Sequence, residues 1–69
     1  MKYLIEVFWS DEDEGYIAVI PDLPGCSAWG STPEEAVREI EHAQQAWIEA
    51  CMKSGEPVPE PIARARQAA

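Results

Sequence analysis

The chain has 69 residues, 46% of them apolar, with 13 acidic side chains against five Lys plus Arg and a formal charge of −8. That length excludes more than one small domain, and the composition excludes the apolar-poor, charge-dominated profile of a disordered chain. A chain this short buries only ~60% of its unfolded surface, so a disulfide, a metal or a partner subunit is needed to secure the fold.

Residues 2–9 alternate, with Tyr3, Ile5, Val7 and Trp9 on one face and Leu4, Glu6 and Phe8 on the other, which predicts a first strand with one mostly apolar face. Asp11-Glu12-Asp13-Glu14-Gly15 reads as a hairpin turn, with Gly15 expected to take a positive φ at its exit. Residues 16–20, rich in β-branched and aromatic side chains, form the second strand, and Pro21 stops it because proline cannot donate to a ladder. A tight connection over residues 21–25 leads to a short third strand at 26–29. In that connection Asp22 is expected to cap the turn through its side chain, and Gly25 to supply a backbone conformation closed to other residues.

Residues 30–35 carry the clearest local signal. Thr32 stands as N-cap, Pro33 at the first helical position and Glu35 three residues after the cap, completing a capping box. The helix spans about 33–54, with Ala36, Ile40, Ala43, Trp47, Ala50 and Cys51 on one stripe and Val37, Gln44 and Ile48 beside it. Gly55 fits a C′ cap and Pro57 blocks continuation. Pro57, Pro59 and Pro61 then make an extended strap. The weakly alternating tail at 62–66 leaves two outcomes open, an added edge strand or a frayed end. The expected organisation is a β-β-β-α domain over residues 1–56, followed by a strap and tail over 57–69. One helix covers one sheet face, and the other face needs cover.

Catalysis and metal binding find little support. Cys26 and Cys51 lie 25 residues apart with no C-x-x-C pair, and with His42 as the single histidine they cannot complete a four-ligand zinc site. Read from Asp11, an EF-hand would need glycine at position 16 and a bidentate Glu at position 22, where Tyr16 and Asp22 stand. His42 has no nucleophile beside it. Ser10, Ser27, Ser31 and Ser54 fall in no nucleophile-elbow context, and the Gly25 to Gly30 stretch lacks the Lys-Ser/Thr of a P-loop. No enzyme activity and no cofactor are expected. With no basic-then-apolar leader in residues 1–20 and no run approaching ~18 apolar residues, we expect a cytosolic protein with reduced thiols, secured by self-association as a homodimer or tetramer.

The charge is uneven. Residues 1–35 hold eight acids and one lysine, a charge of −7, whereas residues 36–69 hold five acids and four bases, a charge of −1. Such an N-terminal half repels phosphates and offers no basic stripe for nucleic acid, so a basic protein is the more natural partner. Asp11, Glu12, Asp13 and Glu14 are candidate partner-binding residues, the alternative being a solvated turn. Trp9 and Trp29, at strand ends, either anchor an interface or pack under the helix N-terminus. Trp47 is expected in the core.

The ordered blocks Tyr3, Gly15-Tyr16, Ile20-Pro21-Asp22-Leu23-Pro24-Gly25-Cys26, Gly30-Ser31-Thr32-Pro33-Glu34-Glu35-Ala36 and Gly55-Glu56-Pro57-Val58-Pro59 closely resemble the N-terminal domain of the HicB antitoxin family. The resemblance covers roughly residues 3–61. It implies an α+β, truncated RNase H-like β-β-β-α fold without the nuclease carboxylates. Tyr16, Pro21, Asp22, Leu23, Pro24, Gly25, Thr32, Glu35 and Ala36 would then be motif residues with structural roles. It further implies a type II toxin–antitoxin role in which a basic HicA-type mRNA-cleaving toxin is neutralised by masking its active surface. The alternative is a non-catalytic oligomeric module with a different partner. Many family members continue into a C-terminal DNA-binding domain, so operator binding by these 69 residues is not expected.

Overall fold

The computed structural model describes residues 2–64. Strands β1 (Glu6–Ser10), β2 (Gly15–Val19) and β3 (Ser27–Gly30) form an antiparallel sheet in the order β1-β2-β3, and helix α1 (Pro33–Lys53) follows. This is the α+β, β-β-β-α arrangement that the sequence predicts. Because strand side chains alternate, the register divides the sheet into two faces. Val7, Ala18 and Ala28 oppose one another across the three strands on the face under α1, while Phe8, Ile17 and Trp29 oppose one another on the far face.

The core lies between the first of these faces and the helix. Ile20, Leu23 and Ile40 are its largest fully buried side chains, joined by Tyr3, Ala18, Cys26 and Ala36. Fully burying such an aliphatic side chain contributes about 1.5–3 kcal/mol, which explains why the 20–26 connection is as much part of the core as the strands. Three backbone bonds shape that connection: Ile20 N–H to Cys26 O, Leu23 N–H to Ile20 O and Cys26 N–H to Leu23 O. Gly25 carries a φ of +81°, as its place in the turn predicts.

Strand ends differ from the sequence expectation by one to four residues. Residues 2–5 lie outside β1 because β2 pairs only as far as Val19 opposite Glu6 and Pro21 ends it, leaving the earlier residues no strand partner. They continue along the core instead, with Tyr3 buried. At the turn the positive φ belongs to Glu14 (φ 50°), not to Gly15.

The helix begins as its sequence dictates. Thr32 is extended, and its hydroxyl accepts from Glu35 N–H at 3.1 Å. The Glu35 carboxylate reaches one residue further back than a capping box requires, accepting from Ser31 N–H and Ser31 Oγ–H at 3.2 and 3.1 Å. At the far end Gly55 (φ +78°) donates to Met52 O and Glu56 to Cys51 O, the paired bonds of a Schellman cap. Ala36, Ile40 and Cys51 on the expected stripe are buried, Trp47 is half-buried, and Ala50 is exposed. A 21-residue helix is about 32 Å long and a five-residue strand about 17 Å, so the last turns of α1 run past the sheet. Beyond it Cys51 is covered by the returning chain, its thiol donating to Glu56 O and Pro57 O.

Residues 56–64 are not in a strand. Side chains of the domain hold this strap: Tyr3 Oη donates to Pro59 O at 2.6 Å, and both carboxylate oxygens of Asp22 accept from Ala63 N–H at 3.1–3.2 Å. The expected turn-capping role of Asp22 is thereby replaced by a clasp across 41 residues of sequence. Part of the proposed edge strand at 62–66 lies outside the described residues.

Candidate partner-binding surface

The four-residue turn joining β1 to β2 presents Asp11, Glu12, Asp13 and Glu14 to solvent. Its shape is set locally. Ser10 Oγ donates to Asp13 Oδ2 at 2.8 Å and accepts from Asp13 N–H at 3.3 Å. Among the described residues none of the four carboxylates forms an ion pair. Four uncompensated charges on consecutive residues act together at physiological ionic strength, where the screening length is ~8 Å, and attract a basic surface.

Two tryptophans brace this tip from opposite faces of the sheet. Trp9, 52% exposed, lies on the helix side, edge-on to Tyr16 with ring centroids 5.3 Å apart, and its indole donates to Asp11 Oδ1 at 2.8 Å. Trp29, 44% exposed, lies on the far side, and its indole donates to Asp13 O at 3.1 Å. The sequence-predicted surface residues are therefore brought to one end of the sheet, but the two indoles do not share a face. Trp29 does not pack under the helix N-terminus. That place belongs to Gly30, where an added Cβ would meet Ala36 N at 2.3 Å.

A third large apolar side chain completes the picture and was not among the sequence candidates. Phe8, 49% exposed, stands opposite Ile17, which stands opposite Trp29. The signal was present in the sequence, since Phe8 falls on the mixed face of the first strand, away from the helix. It becomes a patch only through the register.

The motif residues of the 20–26 connection point elsewhere. Leu23 is buried in the core, the Trp47 indole donates to Pro24 O at 3.0 Å, and Asp22 holds the strap. Burial pushes the Cys26 thiol up from its ordinary range. His42 is exposed on the helix. Among the described residues no group of three His, Cys, Asp or Glu side chains converges to hold a metal ion, and no helix is long and apolar enough to cross a membrane.

The model of a family described as the HicB-like antitoxin of bacterial toxin–antitoxin systems matches residues 3–69. The chain is also similar to the UPF0150 protein Ta0767 of Thermoplasma acidophilum, with 41% identity over 59 residues that cover 86% of this chain and 84% of that one. Two Synechocystis proteins are similar as well. UPF0150 protein ssr1765 is 43% identical over 68% of this chain and 60% of its own length, and UPF0150 protein ssl0259 is 34% identical over 86% and 80%.

Proposed function

This chain belongs to the HicB-like antitoxin family of bacterial toxin–antitoxin systems, and from that premise we propose that it neutralises a HicA-type toxin, a small basic mRNA-cleaving ribonuclease, by covering that toxin's active surface. The observation that carries this reading is the exposed row Asp11 to Glu14, without an ion pair among the described residues, at the end of a sheet whose nearby aromatic side chains are open to solvent. A ribonuclease must be basic where it holds RNA, and an acidic surface of this kind competes for the same ground. The β-β-β-α unit serves as a binding scaffold, a truncated RNase H-like fold with no catalytic role, acting in the cytoplasm where mRNA is cleaved.

Self-association belongs to the same reading. In the order β1-β2-β3 both β1 and β3 are edge strands, each with a row of backbone groups that has no strand partner among the described residues, and a second copy pairs there. The functional test is co-expression with the toxic product of a gene neighbouring this chain's own, which the reading expects to be a HicA-type protein. Restored growth supports the reading. Unrelieved toxicity overturns it in favour of an oligomeric binding module with a different partner.

A further inference from the structure

We propose that the sheet face turned away from the helix, centred on Phe8, Ile17 and Trp29, is the surface that seats the partner, and that the partner brings an apolar patch ringed by basic side chains. The proposal rests on the antitoxin reading and adds to it which face is used and what chemistry it selects.

Three features single out this face. First, Phe8, Ile17 and Trp29 are direct cross-strand neighbours, so their side chains form one strip across the full width of the sheet. Aromatic side chains at the centre of a contact carry a disproportionate share of binding energy. Second, Trp29 is already fixed. Its ring lies against Gly15, where a Cβ would meet the indole at 2.3–2.6 Å, and its N–H is held by Asp13 O. Little rotamer freedom remains to be lost on binding.

Third, the charges flanking the strip along the strand direction choose between occupants. The acidic turn borders one side. On the other, Glu6 projects from the same face, in register with Val19 and Ser27. A second copy stacked on this face meets acid with acid in either orientation: turn against turn if the strands run parallel, turn against Glu6 if they run antiparallel. With stacked sheets ~10 Å apart and a screening length of ~8 Å, that repulsion is felt. A basic rim turns the same charges into attraction. Among the described residues no other surface combines these features. The exposed side of α1 mixes Glu34, Arg38, Glu41, His42 and Lys53, and Trp9 rests on Tyr16 on the opposite side of the sheet.

The test measures binding of a purified HicA-type toxin, taken from the gene neighbouring this chain's own, as the antitoxin reading expects, to the wild type, to Phe8→Ser and Trp29→Ser, and to Gln45→Ala on the exposed side of α1. Thermal melts and sedimentation are recorded for each, and Trp29→Phe repeats the test with an aromatic ring retained. The proposal expects Kd to rise at least ~30-fold for Phe8→Ser and Trp29→Ser and less for Trp29→Phe, with Gln45→Ala unchanged. Sedimentation should stay near wild type, and melting should stay near it for Phe8→Ser and fall by several degrees, without loss of the cooperative transition, for Trp29→Ser, which gives up its bond to Asp13 O. Unchanged affinity in both serine variants overturns the face while leaving the antitoxin reading intact. Loss of a dimer with unchanged toxin affinity assigns the face to a second copy and equally overturns the proposal. Failure of the wild type to bind overturns both.

Discussion

Trp29 and Gly15 occupy one volume: a Cβ on Gly15 would stand 2.3 Å from the Trp29 indole nitrogen. Gly15 is therefore fixed by the ring above it rather than by its own backbone, since the positive φ of the turn falls on Glu14. Gly15→Ala should push the indole off the sheet and break its bond to Asp13 O. Stability should change by only about 1 kcal/mol, because alanine suits a strand better than glycine and the displaced ring can swing into solvent. The check is the indole N–H resonance of Trp29, which should move to a solvent-exposed shift. An unmoved resonance would show that the ring is not seated on Gly15.

Asp22 ties the strap to the domain through Ala63 N–H. Hydrogen bonds to a charged acceptor contribute ~1.5–3 kcal/mol when well formed, and this one is only partly buried, so Asp22→Ala should cost toward the lower end. The loss should be local. Hydrogen exchange at Ala63 should accelerate at least ~10-fold while amides in β2 and the middle of α1 change little. Uniform acceleration throughout would instead mean that Asp22 supports the whole fold.

Tyr3 gives the molecule an alkaline limit. Its phenol is pushed above the ordinary value of about 10, first by burial and then by the negative charge of Asp22, Glu60 and Cys51. A group whose folded pKa exceeds its unfolded one contributes stability that is complete below the unfolded pKa and is lost as pH rises through the folded value. Stability should thus fall above pH ~10 in the wild type. Tyr3→Phe should lose about 1 kcal/mol at neutral pH with the bond to Pro59 O, yet show a shallower decline in alkali. Denaturant melts at pH 7 and pH 11 measure both.

These contacts show where sequence reading succeeds and where it stops. Thr32, Pro33 and Glu35 specify a helix start within four residues, and Gly55 its end, because each acts on backbone groups a turn away. The hairpin and the order of strands are equally local. The Asp22 clasp joins residues 41 apart, and its partner is a backbone N–H that any residue but proline would supply, so no pattern announces it. Gly15 misleads for a related reason. Glycine signals either a positive φ or a close approach, and only the register that brings Trp29 alongside decides between them. The acidic turn and both tryptophans were legible as candidates, whereas the division of the indoles between two faces follows from the pairing of Trp9 with Tyr16 and of Trp29 with Ile17.

Neutralising the turn with Asp11→Asn, Glu12→Gln, Asp13→Asn and Glu14→Gln together should leave the fold nearly intact. Stability should change by less than ~0.5 kcal/mol per site, and the amide oxygens can still accept from Trp9 Nε1–H and Ser10 Oγ–H. Stopped-flow association with the HicA-type protein should slow at least ~10-fold at low salt, and its dependence on salt should flatten, with dissociation changing less. Equal association rates across the salt series would return Asp11 to Glu14 to the status of a solvated turn.

On the proposed function, this chain silences a ribonuclease by occupying the surface on which RNA is cleaved. The deciding measurement titrates the purified chain into a cleavage reaction containing a HicA-type toxin from the neighbouring gene, as the proposal expects, with a fixed mRNA substrate. Cleavage should fall linearly and vanish near one chain per toxin, and preloading the toxin with excess RNA should slow the onset of inhibition. Cleavage that continues undiminished at a tenfold excess of the chain would contradict it.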